Sequence, residues 1–404
     1  MKKVIYITRS FPVHSQTFIV NQVIAAINDG FEVGILAYHL NNFDESSQIS
    51  DLKKNNVEAV TDAMDFKIPK NRFLRYLKGP YLFFKYFKYN RISAYHTISE
   101  HWFFQPFLVN YFINYQNVDV FHIHFANSGL DIAAMKKIGV IKGDLILSVH
   151  GFSVHSKSEA EKQRLIATHK NLFQQSKYIT VNSPYLFDKM INLQCEQNKL
   201  RIVPMGVDTD FFTDESLKTI ENQSLGLISV GRLIPLKGHK YGIKALKLLI
   251  DEGISVHYTI IGIGREEDTL KTLVKELKLD DHVSFMGLKS QTELREQYSK
   301  NHVFLMTSIT DDQNRAEAQG IVTLEAQSMG LPVVAFDSGG VSTTLTTETG
   351  ILVEEKSVDQ FAEAISKLYL DKNLYSKMSS AARAFVRAKF SLQKLSKKVV
   401  ELYD

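Results

Sequence analysis

The stretch EAQGIVTLEAQSMGLPVV, residues 317–334, sets Glu317 and Glu325 eight positions apart around Gly320 and ends in a short apolar run. Read as a helix that starts near Gly320–Ile321, it offers free backbone N–H groups and a positive dipole end, a ready site for an anion. A glutamate at such an end can be no more than a cap. Glu317, ahead of the helix start, is nevertheless suited to accept hydroxyls of a ligand held by those N–H groups. Glu325, farther along, suits a second, more distant pair. A sugar nucleotide has that layout: hexose hydroxyls, a diphosphate, then ribose hydroxyls. A diphosphate needs cations, and SVGRLIPLKGHKYGI supplies them. Gly231 turns the chain after an apolar run, Arg232 and Lys237 project from the loop, and Gly238 opens the next helix. Arginine forks onto phosphate oxygens while lysine acts as a point charge. Alone, this loop reads as a solvated basic turn. Beside the glutamates it reads as a phosphate grip.

These side chains need a scaffold, and composition limits the choice. At 404 residues the chain is long enough for two domains. Its 44% hydrophobic and 23% charged residues suit a globular protein. The single cysteine, Cys195, excludes an internal disulfide framework and a four-cysteine metal site, and favours a reducing compartment. MKKVIYITRSFP does not read as a signal peptide, because Arg9 breaks its apolar run, so none is expected there. No run approaches the roughly 18 apolar residues of a spanning helix, so a soluble or peripheral protein is expected. Apolar strands alternate with amphipathic helices from the first residue: KKVIYIT, FEVGILAY, VDVFHIHF and DLILSVH, then, from LGLISVGRL onward, VHYTIIGIG, VSFMG, HVFLMTS, LPVVAFD and TGILVEE. That is the βαβ rhythm of doubly wound parallel sheets, restarted once. The Pro/Gly/Asp-rich VPMGVDTDFF divides two Rossmann-like domains facing across a cleft, expected at 1–205 and 206–387, with a helix at 388–404 returning to the first.

GRLIPLKG, GIGREEDTLKTLVKELKLDDHVSFMG and the Glu-x7-Glu of EAQGIVTLEAQSMGLPVVAFDSGG resemble the successive signatures of retaining glycosyltransferase family 4, of the GT-B fold. FPVHSQTFIVNQV, HIHFANSG, SVHGF and VPMGVDTDFF are similar to the branch that builds bacterial exopolysaccharide and capsule. The resemblance implies that Gly231, Arg232 and Lys237 grip the donor diphosphate, that Glu317 contacts the transferred sugar, and that Glu325 holds the ribose. The backbone of Gly320, Ile321 and Val322 would serve the phosphate or sugar. His150, which leaves the C-terminal end of DLILSVH, matches the family histidine that faces the sugar; as a lone histidine it reads as structural. Two features depart from the pattern: the loop RSFPVHSQTF lacks the common Gly-Gly, and Thr343 stands where a glutamate is common. The polar loop TSITDDQNRAEAQ is a candidate sugar-facing flap.

Two further patterns carry less. The DTD at 208–210 has metal-binding spacing but sits in the linker and reads as turn chemistry. The HIH at 122–124 puts two imidazoles on one strand face without a third ligand, so no metal is expected. Residues 66–98 carry eight Lys or Arg, no Asp or Glu, and many interleaved Phe and Tyr. This suits the headgroup zone of an anionic membrane better than nucleic acid, for which no module accompanies it. The expected protein is a cytoplasmic, membrane-peripheral, metal-independent retaining hexosyltransferase with no cofactor. Its donor would be a UDP- or GDP-linked sugar and its acceptor a saccharide, lipid-linked in the expected case. A sugar-nucleotide epimerase, a phosphorylase or a non-catalytic binding subunit of the same fold remains the alternative.

Overall fold

The computed structural model describes residues 1–13, 16–90, 104–151, 154–214, 220 and 224–404. Among them the apolar runs become parallel strands in two sheets. The first holds β1 (Lys3–Phe11), β2 (Glu32–Leu40), β3 (Thr61–Ala63), β4 (Val120–His124), β5 (Asp144–Val149), β6 (Ser176–Val181) and β7 (Leu200–Ile202), in the order β3-β2-β1-β4-β5-β6-β7. The second holds β8 (Leu225–Val230), β9 (Val256–Ile261), β10 (Val283–Phe285), β11 (Val303–Met306), β12 (Val333–Phe336) and β13 (Gly350–Val353), in the order β10-β9-β8-β11-β12-β13. Both orders run outward from the first strand and reverse beside it, the doubly wound plan.

The period of two shows why these runs are strands. In the second sheet Leu225, Leu227, Val303, Leu305, Val334 and Phe336 join one core, while Ile228, Phe304, Met306, Val333 and Ala335 join another on the opposite face. Strands buried on both faces read as unbroken apolar runs, as VFLM and VVAF do.

The chain divides into two units. The first comprises Met1–Asn182, Leu186–Val203 and Ser396–Asp404; the second comprises Ser183–Tyr185 and Pro204–Leu395. The last residues thus belong with the first sheet. Tyr403 is buried there, its hydroxyl 2.7 Å from that of Tyr6 and 2.6 Å from Nδ1 of His122. In DTD, Asp208 Oδ1 accepts the backbone N–H groups of Asp210 and Phe211 at 3.1 and 3.0 Å, an Asx turn. No helix among the described residues is long and apolar enough to cross a membrane.

Candidate active site

In the second unit, loops that leave the C-terminal ends of β8 and β11 bring Lys237 to Glu317. The lysine ends a short turn, Pro235–Lys237, and the helix His239–Asp251 begins two residues later. Lys237 Nζ donates to Glu317 Oε2 in a close ion pair, and Ser308 Oγ donates to the same oxygen at 3.4 Å. Thr307 Oγ1 donates to the Lys237 carbonyl at 2.8 Å, so β11 and the lysine loop are tied together. Burial alone would raise the Glu317 carboxyl. The charge and hydrogen bond of Lys237, the Ser308 hydroxyl and the charge of Arg232 outweigh it and hold the group below the ordinary range. Arg232 itself is exposed.

Glu317 is held from below. Gly340 N–H donates to the Glu317 carbonyl at 2.7 Å, and a Cβ on Gly340 would lie 2.0 Å from the Ala318 carbonyl oxygen. The Gly-Gly after β12 is therefore a close backbone crossing under the glutamate. Gly320 caps the helix Ile321–Ser328 with φ +87°, a conformation that glycine adopts without strain. The first-turn N–H groups of Ile321 and Val322 form the positive end of this helix, and Glu317 lies against its cap, with Cγ 3.6 Å from where a Cβ on Gly320 would stand.

Glu325 lies deeper. It is buried, and Tyr298 Oη donates to its Oε2 at 3.0 Å. Burial pushes its carboxyl up to about 7, an effect that the Tyr298 hydroxyl only partly offsets. His239, at the start of its helix, is buried too. Burial first, and then the charge of Lys237, lower its imidazole to about 4, so it is neutral at physiological pH.

His150 belongs to the first unit. Its Nε2 lies 3.0 Å from Nδ1 of His124, one nitrogen donating and the other accepting. Phe18, Phe125 and His124 surround the ring at centroid distances of 4.3, 5.1 and 5.3 Å. Burial lowers His150 to about 3, so it acts as a neutral hydrogen-bonding group. The other member of the HIH pair, His122, bonds Tyr403 and, through Nε2 at 2.7 Å, Ser148. Phe125 between these elements has φ +68°, a strained setting for a bulky residue and of a kind that collects at functional sites. Among the described residues no group of three or more His, Cys, Asp or Glu is arranged to hold a metal ion.

Two family descriptions divide the chain at its linker: Glycosyltransferase Family 4 over residues 16–211 and Glycosyl transferases group 1 over residues 213–385. The chain belongs to the family 4 glycosyltransferases. WcaL of Escherichia coli, named as a colanic acid biosynthesis glycosyltransferase, is 27% identical over 99% of both chains. AmsK of Erwinia amylovora, named for amylovoran biosynthesis, is 26% identical over 100% of this chain and 99% of its own. The fold is that of HepE from Anabaena, solved with UDP, at a TM-score of 0.75 and 15% identity over 100% and 99% of the two chains. It also matches a glycosyltransferase of Rickettsia africae at 0.71 and 19%, over 100% and 97%. The two sheets of this glycosyltransferase are accordingly the two Rossmann-like halves of a GT-B enzyme, and Lys237, Arg232, Glu317 and the Gly320 cap lie in its group 1 half.

Residue-by-residue reading of the sequence did not reach the tyrosine under Glu325, the hydroxyls of Thr307 and Ser308, or the pairing of His124 with His150. The glycosyltransferase loop TSITDDQNRAEAQ is tied down rather than free. Arg315 grips Asp311 Oδ2 at 2.6 and 2.8 Å, and Glu355 accepts from Thr310 N and Oγ1 at 2.9 and 3.0 Å.

Proposed function

We propose that the chain transfers a hexose from a nucleotide diphosphate sugar to a saccharide acceptor, lipid-linked, in bacterial surface polysaccharide synthesis. The observation that carries this reading is the Lys237–Glu317 pair, mounted beside the positive end of the helix Ile321–Ser328 with the Arg232 charge within reach. Full-length similarity to WcaL and AmsK, both named for exopolysaccharide synthesis, supports the setting. HepE was solved with UDP-glucose, and a mannosyltransferase of Mycobacterium tuberculosis, 30% identical over 55% of this chain, is named as GDP-mannose-dependent. Either base is therefore a candidate. The lipid-linked acceptor sets the enzyme at the cytoplasmic face of the cell membrane, peripheral to it.

Cleavage of the bond between sugar C1 and the phosphate oxygen loads negative charge onto the leaving diphosphate. Arg232, Lys237 and the helix N–H groups are preorganised to receive it, and they supply the charge that a metal supplies elsewhere. Glu317 holds Lys237 in place and accepts hydroxyls of the sugar. Glu325 accepts those of the ribose. His150 donates or accepts one neutral hydrogen bond at the sugar. The acceptor oxygen bonds C1 on the face that the phosphate leaves, and its proton passes to the departing phosphate oxygen, which retains the anomeric configuration.

A panel of UDP- and GDP-sugars tests the reading by release of the nucleoside diphosphate in the presence of membrane-extracted acceptor. Failure to release it from any donor counts against transfer; a donor returned as its epimer would mark an epimerase. Lys237→Ala should cut turnover on the active donor by about 100-fold or more, since one preorganised charge on a leaving group is worth roughly 3–4 kcal/mol. It also strands the mostly buried Glu317, so the double variant Lys237→Ala/Glu317→Gln should regain melting temperature without regaining turnover.

A further inference from the structure

The helix Arg72–Lys85 is amphipathic the wrong way round. Gly79 and Leu82 are buried and Arg75 and Phe83 half-buried, and this side packs toward the helix Gln105–Phe112. The opposite side carries Phe73, Leu77 and Phe84, spaced by four and seven residues and therefore in one stripe. They are 67%, 57% and 72% exposed, and Tyr81 beside them is 64% exposed. A soluble helix turns such a stripe to its core, and an exposed apolar stripe rimmed by polar groups marks an interaction surface. Lys78 and Lys85 flank it along one side, Arg72 stands at its start, and Lys88 follows it, all exposed. Residues 66–90 contain no Asp or Glu. Residues 91–98 of the basic aromatic segment lie outside the described residues.

We propose that this helix seats the protein on an anionic bilayer, with Phe73, Leu77 and Phe84 entering the boundary between headgroups and acyl chains. Lys78, Lys85 and Arg72 stay level with the lipid phosphates. The apolar stripe, rather than the cations, supplies the hold, and the cations select the leaflet. A second copy of the chain is a poorer occupant, because a two-fold contact through this face would set its unneutralised cations against each other. The seat rests on the functional reading above only for its purpose, which is to bring the enzyme to a lipid-borne acceptor.

Flotation with vesicles of phosphatidylcholine and phosphatidylglycerol decides it. Wild-type protein should float. The triple variant Phe73→Ser/Leu77→Ser/Phe84→Ser should lose at least tenfold in vesicle partition at both low and high salt, with an unchanged melting curve, since the three side chains leave no core. Arg72→Gln/Lys78→Gln/Lys85→Gln should keep residual binding and lose its preference for phosphatidylglycerol over phosphatidylcholine. The emission of Phe84→Trp should move to the blue on adding vesicles, against the parent as background. Wild-type protein that stays at the bottom at low salt overturns the seat. So does a wild-type dimer in sedimentation that the serine variant dissolves without any flotation. None of these readouts needs sugar transfer, so a protein that floats yet releases no nucleoside diphosphate would sink the functional reading and leave the seat standing.

Discussion

Glu317 and Glu325 are the same residue type on one short segment, yet their surroundings drive them apart. Glu317 meets a lysine and stays ionised; Glu325 meets a tyrosine hydroxyl in an apolar core and is pushed up from 4.5 to about 7. A raised carboxyl favours the protonated form in the folded state. The stability it contributes is full below the unfolded value of 4.5 and is lost as pH rises through about 7. Over that window the loss is on the order of 3 kcal/mol, at about 1.4 kcal/mol per unit. Glu325→Gln cannot ionise, so its melting temperature should hold between about pH 5.5 and pH 8 while that of the wild type falls. Parallel curves for the two proteins would show that Glu325 is not buried as described. At pH 8, where the wild-type group is ionised, the same variant should bind the nucleotide more weakly, since an amide accepts ribose hydroxyls less well than a carboxylate.

At the scale of elements, the site depends on a crossing of backbones. Gly340 runs beneath the Glu317–Ala318 peptide with no room for a Cβ. Gly340→Ala should displace Glu317 from Lys237, lowering both stability, by about 1–3 kcal/mol, and turnover. A melting curve and a turnover assay on the same preparation check this; a fall in stability alone would mean that the glutamate does not move. Sequence made part of this legible. The strands β4, β11 and β12 stand out because burial on both faces demands unbroken apolar runs. β3 and β7 do not, because TDA and LRI are three-residue edges with no such demand. The Lys237–Glu317 pair was within reach because each residue lies in a Gly-punctuated loop beside a strand end. Tyr298 was not: it sits 27 residues before Glu325 on a separate helix, and only packing brings them together. His124 and His150 likewise meet because β4 and β5 are adjacent, with His124 opposite Ser148 in register.

At the scale of the whole chain, the first unit is discontinuous. It ends its main run at Val203 and is completed by Ser396–Asp404, which buries Val399, Val400 and Tyr403 in the first core. Deleting 396–404 would empty the place of a buried tyrosine, leave His122 Nδ1 without its partner and leave the Tyr6 hydroxyl with the Gln22 carbonyl alone, a loss of about 3–5 kcal/mol. Calorimetry should show one transition moved to lower temperature, with nucleotide binding by the second unit retained. Equal loss in both units would mean that the tail is not a part of the first alone.

The same arrangement bears on the order in which the protein is made. A ribosome finishes the seven strands of the first sheet early, but Tyr403 emerges some 200 residues after Val203. At about 5–20 residues per second this leaves roughly 10–40 s in which the nascent first domain must stand without its last piece. During that interval Tyr6 and His122 lack the Tyr403 hydroxyl, and the second domain is itself still being made, since its last residue, Leu395, precedes Tyr403 by only eight. The first domain is begun first and closed last.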